Sequence, residues 1–593
     1  MTERELASVT TDVAHAVRRA VGSVLPEAGT VDPLVRPSTR ADLQANVALP
    51  LAKRLKRPPA ELAAQIAQQL AQDAPVIEKT EVSGPGFINI TLPPGELWRR
   101  AATRRGDARL GVGESRRGER TVIDYSAPNI AKEMHVGHLR TTVIGDCLAR
   151  LLSHLGAEVI RQNHLGDWGT QFGMLIQYLQ EHPEQLWRAS DLAGSGDAEN
   201  SVLALDELYR SARALFDADP GFADRARSRV VLLQSGDEET LAVWREIVAE
   251  SEDAFQAIYH RMSILLTPAD SAGESFYNGY LADVVQELAA KGIAVESRGA
   301  LCVFDPDVLG PDGEPVPLIV RKSDGGYGYD TTDLATIRYR MQDLKADRVL
   351  YVVDARQSMH FQMVFDCARR AGWITDRADV RHLPFGTVLG PDGRPFRTRA
   401  GGTVRLSDLL DDAVAQARVI VAEKKPDLSP AELDELAEIV GIASVKYAEL
   451  STSRVKDYVF DVPRMVSFTG DTGAYLQYAH ARVHSILRRA AAGGHAASSE
   501  LSGNLEPQER ALILKLDAFG DVLGDVAETL EPHRLCGYLY ELSKTFTDFY
   551  ELCPVLKAPT DQQRSNRLAL CELTALTLRQ GLDLLGIAAP EQL

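Results

Sequence analysis

Cysteine is scarce in this chain. The six residues, Cys147, Cys302, Cys367, Cys536, Cys553 and Cys571, form no Cys-x-x-Cys pair. Neither a zinc ribbon nor a disulfide framework is therefore indicated, and a reducing cytoplasm is the expected compartment. No apolar run is long enough to span a bilayer, so no membrane role is expected. No internal repeat is present, and only AAAGGHAASSE at 490–500 reads as a linker. An excess of positive charge is also missing: 65 Lys and Arg stand against 83 Asp and Glu, a net charge of −18. That total weighs against nucleic-acid binding, but it says little about distribution. WRRAATRR at Trp98–Arg105 and SRRGER at Ser115–Arg120 gather basic residues, so a polyanion partner met through local patches stays open. The opening MTERELASVTTDVAHAVRRAVG is amphipathic, carries acidic residues and has no apolar centre. It does not read as a targeting peptide.

What is present is a chain of 593 residues, long enough for three or four domains. Residues 1–110 read as an α/β module. Pro58 and Pro59 break LAKRLKRPPAELAAQIAQQLAQ into two helices, a turn at Gly84-Pro85-Gly86 leads into a strand, and the basic stretch after Trp98 reads as a linker or connecting helix. Residues 111–425 read as a multidomain chain's α/β centre. TVIDYSA is a strand, a helix runs from about Val136 to Leu155, and AEVIRQNHLG is the next strand, the opening of a doubly wound parallel sheet. Strand–helix patterning returns at RVLYVVDA, QSMHFQMVFDCARRAGW and HLPFGTVLG. Between these halves lie a helical insertion at about 175–260 and a strand-and-turn insertion at about 274–325. Residues 426–464 form a helical connecting region, opened by a capping box of Ser429, Pro430 and Glu432. Residues 465–593 read as an all-α domain.

The chemistry concentrates at His135-Val136-Gly137-His138, where a helix starts beyond the first strand of the sheet. A metal is disfavoured, because the helical zinc pattern needs an i, i+4 pair and a third ligand. Packing is the ordinary role of a lone histidine near a helix start. A phosphate site fits the position best: ligands bind at the carboxyl edge of such sheets, and helix N-termini favour anions.

His-Val-Gly-His resembles the His-Ile-Gly-His signature of class I aminoacyl-tRNA synthetases. With its flanks, SAPNIAKEMHVGHLR and NHLGDWGTQFG, the chain resembles the arginyl-tRNA synthetases. So do GYGYDTTDLA, VVDARQSMHFQ, GTVLGPDGRPFRTRAGGTVRL and TGAYLQYAHARVHSIL, in order along nearly the whole chain. The resemblance implies a Rossmann-type class I catalytic domain, an N-terminal tRNA-contacting module and a C-terminal all-α anticodon-binding domain. It implies an enzyme that joins L-arginine to ATP, entering as its Mg2+ complex, and then transfers the arginyl group to the 3′ end of its tRNA. It is expected to be a cytoplasmic monomer with no bound prosthetic group and no structural metal.

By the same resemblance, His135, Gly137 and His138 contact ATP, and Lys132 steadies the pyrophosphate. Gly166, Asp167 and Trp168 close the adenosine side. Asn129, Glu274, Tyr329, Asp333 and Gln357 hold arginine, and Tyr329 and Asp333 share a face if YDTTD is helical. Tyr475, Gln477 and Arg482 are candidates for tRNA contact. The chain departs from the family pattern at the second signature loop: PFRTRAGG has no lysine, leaving Arg397 and Arg399 as its cations and Arg399 as the catalytic candidate. That degenerate loop keeps one alternative alive, a non-catalytic RNA-binding paralogue. Another class I synthetase and a small-molecule adenylyltransferase fit the motifs less well.

Overall fold

A computed structural model describes residues 6–192, 198–310, 313–390, 392–396 and 404–593. The chain divides into two units. One comprises Met1–Ser115, Ser467–Leu584 and Ala588–Leu593; the other comprises Arg116–Val466 with Leu585–Ile587.

In the first unit, strands Val35–Pro37, Leu43–Ala45, Phe87–Thr91 and Lys79–Ser83 lie in that order in an antiparallel sheet. Helices Ala48–Leu55 and Pro59–Asp73 are separated at the proline pair, as expected. The Gly84–Gly86 turn is required by close approach: Gly86 has φ +131°, and a Cβ there would lie 2.8 Å from the Pro59 carbonyl oxygen. Of the two readings of the stretch after Trp98, the helix holds: it is part of Pro94–Gly106. Trp98, Arg100 and Arg104 are buried. Arg104 Nε donates to Asp517 Oδ1 at 2.7 Å, and Arg100 pairs with Glu96 and Asp12. Two of the arginines expected to attract a polyanion are thus neutralised inside the unit. The C-terminal part is helical throughout: Gly473–Ala492, Pro507–Asp517, Phe519–Thr529, His533–Leu552 and Asp561–Leu584. Helix His533–Leu552 buries Leu535, Leu539, Leu542, Phe546 and Phe549, a stripe of alternating four- and three-residue steps that faces the helical core.

The second unit is built on a four-stranded parallel sheet in the order Asp379–His382, Arg348–Tyr351, Arg120–Asp124, Glu158–Gln162. Strand order reverses between Arg120–Asp124 and Arg348–Tyr351, and a crevice opens at the carboxyl ends of strands at such a point. Val122 and Val349 are wholly buried in the sheet. The helix that leaves the central strand, Val136–His154, is buried on nearly every face. The helical insertion appears as Thr170–Glu181, Ala198–Ala218, Pro220–Ser235 and Glu238–Arg261.

Two expectations change here. The stretch expected to be strand and turn from 274 opens with helix Asn278–Ala290. Its buried Leu281, Val284, Val285 and Leu288 are spaced i, i+3, i+4, i+7, a helical period. The antiparallel strands Val295–Ser297, Ala300–Leu309 and Pro315–Arg321 follow. HLPFGTVLG, expected as one strand, is mostly loop. The sheet strand ends at His382, two residues before a proline that lacks a ladder donor; Phe385 then makes a single bridge to Asp354, and Val388–Leu389 pairs with Tyr458–Val459. The Ser429 capping box forms as expected, with Ser429 N donating to Glu432 Oε2 at 2.9 Å. Among the described residues no helix is long and apolar enough to cross a membrane.

Candidate active site

The loop that joins the central strand to its helix is strained. Ser126, Ala127 and Ala131 have φ of 74°, 49° and 61°, in the left-handed region that side chains with a Cβ avoid. Neighbouring groups hold it there. Ser126 N donates to Thr141 Oγ1 and Ala127 N donates to Asn163 Oδ1, each at 3.0 Å. Ser126 Oγ and Tyr259 OH are 2.6 Å apart, and Thr142 Oγ1 donates to Ser126 Oγ at 2.9 Å. Ala131 N donates to Ser251 Oγ at 3.0 Å. Strain held by surrounding structure is a feature of functional sites.

His135 and His138 cap the helix reciprocally. Gly137 N donates to His135 Nδ1, and His135 N donates to His138 Nδ1, both at 3.0 Å. The rings stack with centroids 3.9 Å apart. Because each Nδ1 accepts a backbone N–H, each neutral ring carries its proton on Nε2. Burial pushes His138 down to about 3. Burial first, and then the charges of Lys132 and Arg356, hold His135 below the usual imidazole range. Both rings are therefore neutral Nε2–H donors at neutral pH. Gly137 fits because a Cβ there would stand 2.7 Å from His135 Cε1; the close neighbour is the capping ring itself. The leading backbone donors are already engaged: Val136 N on Val404 O, Gly137 N on His135 Nδ1 and His138 N on His135 O. Imidazole N–H groups, rather than the free backbone amides expected at a helix start, are what this site offers an anion.

The segment around Gly166 forms a second wall. Gly166 N donates to Pro128 O and Ile130 N donates to Gly166 O, both at 3.1 Å. A Cβ on Gly166 would come within 2.3 Å of Asn129 Oδ1, so the exposed Asn129 amide lies over this glycine. Asp167, expected on the adenosine side, is placed otherwise. It is buried, with Oδ1 accepting from Ser275 N at 2.8 Å and Oδ2 from Ser275 Oγ at 2.5 Å. Its carboxylate is occupied as an internal brace for the 273–275 turn. Trp168 is half-buried, edge-on to Trp244 at 5.7 Å, and Trp244 Nε1 donates to Asp167 O at 2.8 Å.

The brace presents Glu274, whose own N–H donates to Leu165 O at 3.0 Å. Among the described residues the Glu274 carboxylate forms no hydrogen bond or ion pair. Burial first, then the charges of Asp167 and Asp333, push it up to about 8. Tyr329 and Asp333 lie on the first turns of helix Tyr329–Gln342, as the motif suggested. Tyr329 is 67% exposed, open to a ligand. The residue the motif reading missed is His360. Its Nε2 lies 2.6 Å from Asp333 Oδ2 and its Nδ1 3.4 Å from Asp330 Oδ1, and Tyr329 stands 5.3 Å from its ring. Burial alone would lower its pKa, but the bond to Asp333 and the charges of Asp333 and Asp330 outweigh burial and raise it. The signal lay in MHFQ, one helical turn past Gln357. Gln357 is exposed at the end of the turn Ala355–Gln357, which the Arg356–Asp354 pair holds at 2.8 Å. Glu274 and Asp333 thus bring two carboxyl groups to the site, with Asp330 behind them and His360 and Lys322 as neighbouring cations among the described residues. The pocket calls for a cationic ligand, and paired carboxylates suit a planar guanidinium.

Beneath the crevice Arg340 ties the strand ends together. Its Nε donates to Gln162 Oε1 at 2.7 Å, its guanidinium lies 2.8 Å from Asp124 Oδ2, and it covers the Tyr351 ring at 4.8 Å. Lys132 lies with its Nζ 4.8 Å above the Tyr209 ring. Arg397 and Arg399 fall outside the described residues. Among the described residues no group of three or more His, Cys, Asp or Glu side chains is arranged to hold a metal ion. In the helical domain Tyr475 is half-buried, 5.7 Å from Tyr540, and Arg482 lies over Tyr550 at 5.1 Å. Gln477 is a correction. It is wholly buried, with Nε2 donating to Ala588 O at 2.8 Å, and belongs to the domain interior rather than to an RNA-facing surface.

A parallel sheet with a switch point, and a His-x-Gly-His cap on the helix leaving its central strand, is the catalytic architecture of class I aminoacyl-tRNA synthetases. Comparison with known proteins names the member. Residues 107–462 match the family model "tRNA synthetases class I (R), catalytic domain", 7–92 match "Arginyl tRNA synthetase N terminal domain" and 476–593 match "DALR anticodon binding domain". The chain is 63% identical to the arginine–tRNA ligase of Frankia casuarinae, covering 100% of each. It is 52% identical to that of Streptomyces avermitilis, covering 99% of each. Its fold is similar to the crystal structure of the Plasmodium falciparum arginyl-tRNA synthetase, with TM-score 0.82 and 28% identity over 99% of this chain and 100% of that one. The chain belongs to the arginyl-tRNA synthetase family.

Proposed function

We propose that the chain works as its family does: it is an arginine–tRNA ligase that forms arginyl-adenylate and pyrophosphate from arginine and ATP, then passes the arginyl group to the 3′ end of tRNA(Arg). The observation that carries this reading is the pair of carboxyl groups, Glu274 and Asp333, beside two neutral histidine donors at the sheet's switch point.

Arginine enters with its guanidinium between Glu274 and Asp333, against Tyr329. Asn129 and Gln357 hold its main-chain end, so that its carboxylate faces the α-phosphate of ATP. His135 and His138 donate from Nε2 to the triphosphate, and Lys132 meets the charge that grows on the leaving pyrophosphate. Arg397 and Arg399 supply further cations from the second signature loop. Gly166 and Trp168 form the adenosine side. ATP is taken up as its Mg2+ complex, and the enzyme acts as a cytoplasmic monomer. The protein does little covalent work in such a step; orientation and charge stabilisation supply the rate. Lysine cannot replace arginine, because one carboxylate would lose its fork partner. Tyr475 and Arg482 belong to the domain that meets the tRNA, where single-stranded bases stack on aromatic and guanidinium planes.

Arginine-dependent ATP–pyrophosphate exchange, run with and without tRNA(Arg), tests the reading. Exchange is expected with arginine and tRNA present. Folded protein that gives no exchange in either condition would instead be a non-catalytic RNA-binding paralogue.

A further inference from the structure

Lys132 sits in the strained part of the signature loop, and the helical insertion grips the loop around it. The preceding residue, Ala131, is held at φ 61° by its N–H bond to Ser251 Oγ. Ser251 is wholly buried on helix Glu238–Arg261, and its hydroxyl donates in turn to Ile247 O at 2.8 Å. The Lys132 ammonium lies 4.8 Å from the ring centroid of Tyr209 on helix Ala198–Ala218. The Tyr209 ring packs on the insertion's own core of Met174, Ala212, Phe222 and Ala226. Among the described residues no carboxylate lies within ion-pairing distance of Lys132. Its charge is felt at His135, which places it on the phosphate side of the site.

From this geometry we infer that Tyr209 is a positioning residue: it holds the Lys132 ammonium on its π face, beside the phosphate site, with its charge unquenched. The inference rests on the reading of Lys132 as the pyrophosphate-side cation. A carboxylate partner would have steered the lysine equally well, but it would have cancelled the charge the reaction needs. An aromatic face attracts a cation more weakly and remains neutral, so the lysine is aimed and still free to reach an oxygen. The insertion, which contributes neither of the signature histidines, thereby acquires a part in the first half-reaction.

The test is a double-mutant cycle in arginine-dependent ATP–pyrophosphate exchange with tRNA(Arg) present. Tyr209→Leu should lower the exchange rate about three- to tenfold, the range of a cation–π contact, with the KM for arginine unchanged. Tyr209→Phe, which keeps the π face and the packing, should recover the rate to within about twofold. In a Lys132→Met background, Tyr209→Leu should change the rate by less than about twofold, because the ammonium it serves is gone. A Tyr209→Leu loss of equal size in both backgrounds would overturn the inference and leave the ring a packing residue. So would a neutral Tyr209→Leu beside a costly Lys132→Met, with the lysine's own role intact. A neutral Lys132→Met would overturn both at once, by removing the reading of Lys132 on which Tyr209 depends.

Discussion

Arginine binding should release a proton from Glu274. In the protein alone this carboxyl is pushed up to about 8 by burial and by the charges of Asp167 and Asp333. A bound guanidinium reverses those influences, because an opposite charge in contact favours the carboxylate. Below about pH 8 the free protein holds the proton and the complex does not. The affinity for arginine therefore rises with pH, about tenfold for each unit, and levels off above pH 8. Between pH 6 and pH 8 the gain is about fiftyfold, equivalent to about 2.3 kcal/mol. At pH 7 about nine-tenths of a proton should be released for each arginine bound, since a group with its midpoint near 8 is about nine-tenths protonated there.

Titration calorimetry of arginine into the protein, repeated at pH 7 in two buffers of different ionisation enthalpy, reads that proton directly. His360 has to be separated from it. Its raised pKa makes it a second source of protons when a cation arrives beside Asp333. The Glu274→Gln variant makes the separation. It should lose the Glu274 share of proton release and flatten the pH dependence, and it should weaken arginine binding about tenfold to a hundredfold through loss of a charged hydrogen bond. Identical apparent heats in the two buffers, with affinity level from pH 6 to pH 8, would refute the argument that the pocket is acidic and waiting for its cation.

His138→Ala should slow adenylate formation by roughly a hundredfold or more, the cost of removing one preorganised donor; equal single-turnover rates would sink the phosphate-ligand assignment. Arg340→Met should destabilise the catalytic unit by about 3–5 kcal/mol, since it leaves the buried Asp124 carboxylate without its partner. Denaturant midpoints within error of the parent protein would show that Asp124 finds another partner or a proton.

Much of this site was legible because its parts are local. The helix start at His135, the apolar strand TVIDYSA and the helix after it need only neighbouring residues to specify them. Tyr329 and Asp333 were readable as one face for the same reason, four residues apart on one helix. The pieces that were not legible depend on distant partners. Asp167 reads as a site residue in GDWG, but its carboxylate is taken by Ser275, 108 positions away. Arg104 reads as an exposed charge until Asp517, 413 positions on, buries it as an ion pair. Local spacing carries no trace of such pairings. His360 lies between these cases. Its ring meets a carboxylate only 27 positions earlier, yet two helices must pack before the bridge exists.

The same distinction explains why the strained loop is built as it is. A loop with three residues at positive φ is unfavourable in isolation, so its shape has to be imposed from outside. Thr141 and Thr142 act from the helix that follows, Asn163 from beside the neighbouring strand, and Tyr259 and Ser251 from the insertion. Each supporting group is buried in the described structure, which makes its hydrogen bond costly to lose. On the proposed reading of the site, the histidine and lysine donors are placed in advance, so little reorganisation remains for the reaction. The shape of the signature loop is a property of the whole unit, distributed over groups outside the motif, while the motif supplies only the atoms that are placed.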